Sequence, residues 1–291
     1  MIGRIINLIS GFYYVDAGRQ IYTCKLRGRV KSVGFPLVGD MVEISLLNGQ
    51  NGVIEKILPR RNEFIRPAVS NVDMIVFVAS ESLPVTDPFL IDRLSVIALE
   101  QNCDFALCIN KNDISNSDRL FDIYKESGFP TIRTSAETGE GISELMEVIA
   151  GKSCVLSGNS GVGKSSLINR IVGDDSAQVG DVSIKLGRGK HKTRQVRLYE
   201  LPNNTYIADT PGFASFDVEM VADVRKENLQ YDFPDFSEYI GRCRFSDCGH
   251  TGEPGCAVAR AVLDGKVNSS RYDSYLRLYS LVSQHKSWEN V

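Results

Sequence analysis

The chain has 291 residues, 43% hydrophobic and 24% charged, with a formal net charge of −3, which is ordinary for a folded protein of two or three domains. This excludes a disordered, collagenous or coiled-coil chain, and no apolar run approaches the ~18 residues of a membrane-spanning helix. The charge is uneven, because residues 1–66 hold ten Lys and Arg against five acids, and such a basic segment points to a polyanionic partner or to a solvated basic face.

The first 65 residues show no helical period. Five short runs, RIINLIS, FYYVDA, QIYTCKLRG, MVEISLL and GVIEKIL, are separated by turn signals at Gly11, Gly18, Gly34, Gly39 and Asn51-Gly52. Five strands in this length predict a small closed barrel. PRRNEFIRP (59–67), with proline at both ends, reads as a linker. The texture then changes. MIVFVAS (74–80) is a near-continuous apolar run, as expected for a strand buried on both faces. Asp87-Pro88 offers an N-cap and a first-turn proline, followed by Leu90, Leu94, Ile97 and Ala98 at helical spacing. FALCIN, TIRTSA, SCVLSG and TYIADT read as further strands, with helical patterns at 118–127, 142–150 and 164–172. This alternation predicts an α/β domain with a parallel sheet. Beyond 217 the strands stop, and helices are expected at 256–264, ended by Gly265, and at 269–286.

Gly158, Asn159, Ser160, Gly161, Val162, Gly163, Lys164 and Ser165 match G-x-x-x-x-G-K-[ST] between a strand and a helix. Glycines let backbone N–H groups wrap phosphate oxygens, and the helix start adds its positive end. Lys164 reaches the β- and γ-phosphates and Ser165 ligates Mg²⁺. Asp209 in TYIADTPG supplies the carboxylate on the magnesium side, and Gly212 offers its N–H to the γ-phosphate.

Asn110-Lys111-Asn112-Asp113 fits N-K-x-D. Its carboxylate accepts bonds from guanine N1–H and the exocyclic amine, whereas adenine would leave it unpaired at ~1–3 kcal/mol. The Lys111 stem can stack on the base. Thr134-Ser135-Ala136 resembles the partner motif whose backbone N–H meets guanine O6. Both base-reading motifs precede the phosphate loop, the reverse of the usual order in Ras-like GTPases, and a circular permutation accounts for this.

Between the phosphate loop and Asp209 lies the basic, glycine-rich KLGRGKHKTR (185–194), where Thr193 is the candidate Mg²⁺ ligand. Phe213 stands where many GTPases place a water-orienting Gln. His191 is the nearest polar substitute, with a structural or RNA-contacting role as the alternative. Cys243, Cys248, His250 and Cys256 form C-x₄-C-x-H-x₅-C, a closed tetrahedral set for one structural Zn²⁺. Cys24, Cys103, Cys108 and Cys154 read as small core residues, and His285 as a helix residue outside the ligand set. The scattered cysteines and the lack of a signal-peptide cleavage pattern suit a reduced, cytoplasmic setting.

GNSGVGKSSLIN, GRGKHKT, ADTPGF and CRFSDCGHTGEPGCAV resemble the ribosome small subunit-dependent GTPase A family of bacteria, over essentially the whole chain. The resemblance implies a multidomain protein. Residues 1–65 would be an oligonucleotide/oligosaccharide-binding (OB) type β-barrel that binds RNA. Residues 66–218 would be a circularly permuted α/β P-loop GTPase domain, and 219–291 a mainly α zinc-binding domain. It implies GTP hydrolysis to GDP and phosphate late in assembly of the 30S subunit, near the decoding region of its 16S rRNA. The 30S particle would stimulate hydrolysis, and the protein would leave once GTP is cleaved. The nucleotide-binding set is Asn110, Lys111, Asp113, Ser135, Ala136, Gly158 to Ser165, Ser166, Asp209 and Gly212, with Lys164, Thr193 and His191 on the catalytic side. The implied cofactors are GTP or GDP, Mg²⁺ and one Zn²⁺. The implied partners are the 30S subunit and other assembly factors, engaged by a monomer with no membrane association. Lys192 stands where the family's switch has a first Thr, and Arg194 follows Thr193. Two other readings stay open: a permuted GTPase acting on another RNA or the large subunit, and an RNA-binding module holding nucleotide as a structural ligand.

Overall fold

The computed structural model describes all residues except 19, 29–33, 66, 116, 174–195, 210–223 and 286–291. In chain order the first strands are β1 (Ile2–Ile9), β2 (Phe12–Asp16), β3 (Ile21–Leu26), β4 (Met41–Leu46), β5 (Asn51–Ile57), β6 (Glu63–Phe64) and β7 (Val69–Ser70). Then come β8 (Met74–Ser80), α1 (Pro88–Glu100), β9 (Asp104–Asn110), α2 (Arg119–Tyr124), β10 (Thr131–Arg133) and α3 (Ile142–Ile149). These are followed by β11 (Ser153–Ser157), α4 (Lys164–Val172), β12 (Arg197–Leu201), β13 (Thr205–Asp209), α5 (Ala257–Leu263) and α6 (Ser269–His285). The chain packs as two compact units. One comprises Met1–Ile75, Met146–Ser157 and Lys164–Ala214, the other Val76–Leu145, Gly158–Gly163 and Ser215–Val291.

In the first unit β1 to β5 close into a barrel. β1–β2 and β2–β3 are antiparallel, β3–β5 is parallel, β5–β4 is antiparallel, and β4 pairs back onto β1. Alternate residues point inward, as strand geometry requires, so Ile5, Val15, Cys24, Val42 and Ile54 are wholly buried at its centre. Asn51-Gly52 is not a turn as expected but lies inside β5, where Gly52 pairs with Cys24 and Leu46. A Cβ on Gly52 would stand 3.0 Å from the Cys24 sulfur, so the glycine answers a close strand approach, and the turn falls at 48–50.

The expected linker at 59–67 is tied down instead. β6 and β7 form an antiparallel ribbon that buries Phe64. Arg60 reaches the fully buried Asp40 with Nε–Oδ1 2.7 Å and Nη2–Oδ2 2.8 Å, and the Ser70 hydroxyl donates to the same carboxylate at 2.6 Å. A buried carboxylate needs such a fork to offset its lost hydration.

The same unit holds a sheet in the order β11-β13-β12-β1. β11 and β13 are parallel, β13 and β12 antiparallel, and β12 meets β1 at Arg197 opposite Asn7. Tyr206 on β13 donates to Asp16 at 3.1 Å, beneath the Arg4 guanidinium, which lies 4.5 Å from the ring centroid. β12 was not foreseen. Its RLYEL is half-buried and mixed in charge, because it is the antiparallel border between sheet and barrel.

In the second unit β10, β9 and β8 lie side by side, with β9 and β10 parallel. Residues of β8 are buried throughout, as the apolar run predicted. Asp87 caps α1 by accepting from the Phe89 N–H at 3.0 Å. α6 packs on α1 around the fully buried Arg271, which donates to Asp92 at 2.6 Å and to Asp235 at 2.6 and 3.2 Å. No helix among the described residues is long and apolar enough to cross a membrane.

Candidate functional site

The second unit brings the expected base-reading residues 110–113 and 134–136 together with residues 158–163 of the expected phosphate loop. Asn110 ends β9 with 2% exposure and bonds through both ends of its amide. Its Nδ2 donates to the Val162 carbonyl at 2.9 Å, and its Oδ1 accepts from the Ala136 N–H at 3.1 Å and the Thr134 hydroxyl at 3.2 Å. One amide therefore spans residues 110, 134–136 and 162, which are far apart in sequence. Ser135 donates to Asp113 at 2.6 Å and fixes that exposed carboxylate. Asn112 donates to Glu140 at 2.9 Å. Behind Asn110 the Cys108 thiol contacts the Thr134 hydroxyl at 3.1 Å, and burial pushes this thiol up to about 12, so it stays protonated.

The phosphate-loop glycines are forced. Gly158 has φ +135° and a Cβ there would fall 2.1 Å from the Val78 carbonyl oxygen. Gly163 has φ +98° and a Cβ there would fall 2.3 Å from Asn110 Nδ2. Bare backbone at both ends is what a phosphate cradle needs. In the first unit Lys164 opens α4, followed by the exposed Ser165 and Ser166, and Asp209 is the last residue of β13. His191, Thr193, Gly212 and Phe213 lie outside the described residues.

Cys243, Cys248, His250 and Cys256 converge in the second unit with their ligand atoms all within 4.8 Å of one another. His250 Nδ1 lies 3.5 Å from both Cys243 Sγ and Cys256 Sγ. A tetrahedral Zn²⁺ with ~2.3 Å bonds separates its sulfurs by about 3.8 Å, so the donor set fits. Burial pushes the Cys248 thiol up to about 12, and a divalent cation would supply the charge that a thiolate needs there. His250 Nε2 is 2.9 Å from Gln230 Oε1, which fixes the tautomer that presents Nδ1 to a metal. Two N–H groups, of Ala257 and Ala259, point at Cys243 and Cys256 at 3.2 and 3.4 Å. Glu253 accepts from the Gly249 and Thr251 N–H groups at 3.0 and 2.7 Å and shapes the knuckle. Gln230 and Glu253 were missed in the sequence. Gln230 sits twenty residues from His250 in a stretch without periodicity, and Glu253 resembles any loop acid.

A family model described as RsgA GTPase matches residues 57–219, and one described as RsgA N-terminal domain matches residues 2–54. A protein called small ribosomal subunit biogenesis GTPase RsgA from Caldanaerobacter subterraneus subsp. tengcongensis is 41% identical, over 97% of this chain and 96% of that one. Its namesake from Alkaliphilus metalliredigens is 39% identical over 98% and 99%. The crystal structure of YjeQ from Thermotoga maritima is similar with a TM-score of 0.78 at 33% identity, covering 97% of this chain and 98% of that one. YloQ, described as a circularly permuted GTPase, is similar with a TM-score of 0.76 at 32% identity, covering 97% and 95%.

Proposed function

The chain belongs to the RsgA GTPase family, and on that premise we propose that it binds the 30S ribosomal subunit and hydrolyses GTP in late small-subunit maturation, stimulated by the 30S particle. It is a GTP hydrolase with a circularly permuted GTPase domain behind a five-stranded barrel. The observation that carries the reading is the Asn110 amide. It joins the loop that selects the base to the loop that holds the phosphates, although the sequence presents them in inverted order.

The proposed division is a barrel at 1–65, the GTPase domain at 66–218 and the zinc module at 219–291. Asp113 accepts the guanine N1–H and amine, the Ala136 N–H serves O6, and Lys111 lays its stem on the base. The amides of Gly158 to Gly163, together with Lys164, neutralise the β- and γ-phosphates. Ser165, Thr193 and Asp209 would offer oxygen donors alone, which suit a hard cation. When bound, Mg²⁺ would supply positive charge that offsets the phosphate oxygens. Gly212 offers its N–H to the γ-phosphate. With phenylalanine at 213, intrinsic hydrolysis is slow, and His191 orients the attacking water when the ribosomal particle is bound. Zn²⁺ held by Cys243, Cys248, His250 and Cys256 would have four protein ligands and a structural role. The basic barrel meets 16S rRNA phosphates. The protein acts in the cytoplasm as a monomer, alongside other assembly factors.

Turnover measured alone and with purified 30S, 50S and free RNA tests the proposal. Strong stimulation by 30S alone is expected. Equal stimulation by 50S would move the target to the large subunit, and no turnover under any condition would leave nucleotide as a structural ligand.

A further inference from the structure

The loop that leaves β8, residues 81–86, carries none of the recognised guanine-nucleotide motifs, yet it touches both halves of the site. Its ends are pinned. Thr86 N–H donates to the Ser80 carbonyl at 2.9 Å, and the Thr86 hydroxyl accepts from the Ser80 N–H at 3.0 Å. Both residues are fully buried. Glu81 fastens the outer side by accepting from the Leu120 N–H at 2.5 Å and the Ser117 hydroxyl at 3.2 Å. Pro84 abuts the phosphate loop, where a Cβ on Gly161 would meet Pro84 Cδ at 3.4 Å. The neighbouring Leu83 carbonyl accepts the Lys111 ammonium at 2.8 Å.

Lys111 is in a left-handed conformation with φ +67°. A non-glycine residue holds that conformation only when its surroundings over-determine it. Its backbone is fixed by the neighbouring Asn112 N–H, which donates to the Thr134 carbonyl at 3.0 Å, and its far end is fixed by Leu83. An ammonium tethered at its tip keeps a four-carbon stem extended, with less rotamer freedom left to lose when a base arrives.

We infer that the 81–86 loop is a positioning element of the guanine site, with the Leu83 carbonyl holding Lys111 extended as a preformed shelf for the base and Pro84 setting the distance to the phosphate loop. This rests on the guanine-nucleotide reading above. Toward the site its contacts are to Lys111 and Gly161, so the loop acts on nucleotide affinity and not on the chemical step.

The test is a double-mutant cycle on the full-length protein, with binding of GDP and a non-hydrolysable GTP analogue measured by calorimetry. Pro84→Gly frees the Leu83 carbonyl and is expected to weaken both ligands about tenfold, the loss of roughly one hydrogen bond to a charged group. It should raise KM for GTP with kcat unchanged. In a Lys111→Met background the same change should weaken binding less than about twofold, because the group it positions is gone. Leu83→Gly, at a side chain 86% exposed, provides the same cycle if the proline variant fails to fold. Effects that add in the double variant, or a Pro84→Gly protein with unaltered affinity, would overturn the inference. Wild-type protein that binds ATP as tightly as GTP would instead overturn the underlying guanine assignment, so the two failures are distinguishable.

Discussion

Arg271→Met removes the guanidinium that Asp92 and Asp235 share in a cluster out of water. The side chains of Arg271 and Asp92 are wholly buried and that of Asp235 is 6% exposed, with 2.6 Å between each carboxylate and the guanidinium. The rings of Phe233, Phe129 and Tyr124 lie 4.7, 5.4 and 5.6 Å from the guanidinium carbon. Burial already pushes the Asp92 carboxyl pKa up, and the guanidinium opposes that rise. Without it two buried carboxylates lose their partner, which costs about 3–5 kcal/mol, and the lost cation–π contacts add ~1 kcal/mol. At roughly 2–4 °C per kcal/mol for a unit of this size, the melting temperature should fall by about 10 °C or more. Scanning calorimetry of the zinc-loaded protein measures this. The triple variant Arg271→Met, Asp92→Asn, Asp235→Asn, which removes every charge, should recover at least half of the loss. A drop under ~2 °C for the single variant, or a triple variant no more stable than the single, would refute the argument that uncompensated charge is the dominant cost.

Asp113→Asn should lower GTP affinity by about 10–100-fold and shift preference toward xanthine nucleotides, because the amide donates where guanine also donates; competition binding with GTP and XTP reads the shift. Cys248→Ser should release zinc, seen by metal analysis, and lower the stability of the C-terminal module while far-UV signals of the α/β core persist. Burial, with the Glu100 carboxylate beside it, pushes Asp232 up from 3.8 to about 8. A carboxyl raised by folding contributes stability that is full below about 4 and is lost as pH climbs through about 8. Asp232→Asn should therefore flatten the decline in melting temperature between pH 5 and 8.5 and raise its value at pH 8.5, as thermal scans across that range would report.

Where a local pattern dictates structure, the sequence could be read closely. MIVFVAS became β8 with no exposed residue, Asp87-Pro88 opened α1, and the barrel strands lie within a residue or two of their alternating runs. The Cys/His cluster was legible because four metal-ligating residues crowd into fourteen positions. What escaped was set by partners distant in the chain. Gly52 looked like a turn signal until Cys24 was seen across the strand pair, and the 59–67 stretch looked loose until Arg60 was found on Asp40. The Leu83 carbonyl offers no side-chain signature at all, and Arg271 could not be matched to Asp92 across 179 residues. Composition reports propensity, while these contacts report topology.

The seam between β1 and β12 has a mechanical meaning. It joins the barrel to the hairpin β12–β13 through main-chain pairing, reinforced where Tyr206 meets Asp16 and Arg4 reaches Ser153 at 3.0 Å. β13 is also the strand that ends in Asp209. The strand that ends in Asp209 is thus tied to the barrel by main-chain pairing and two side-chain contacts, not by a loop alone.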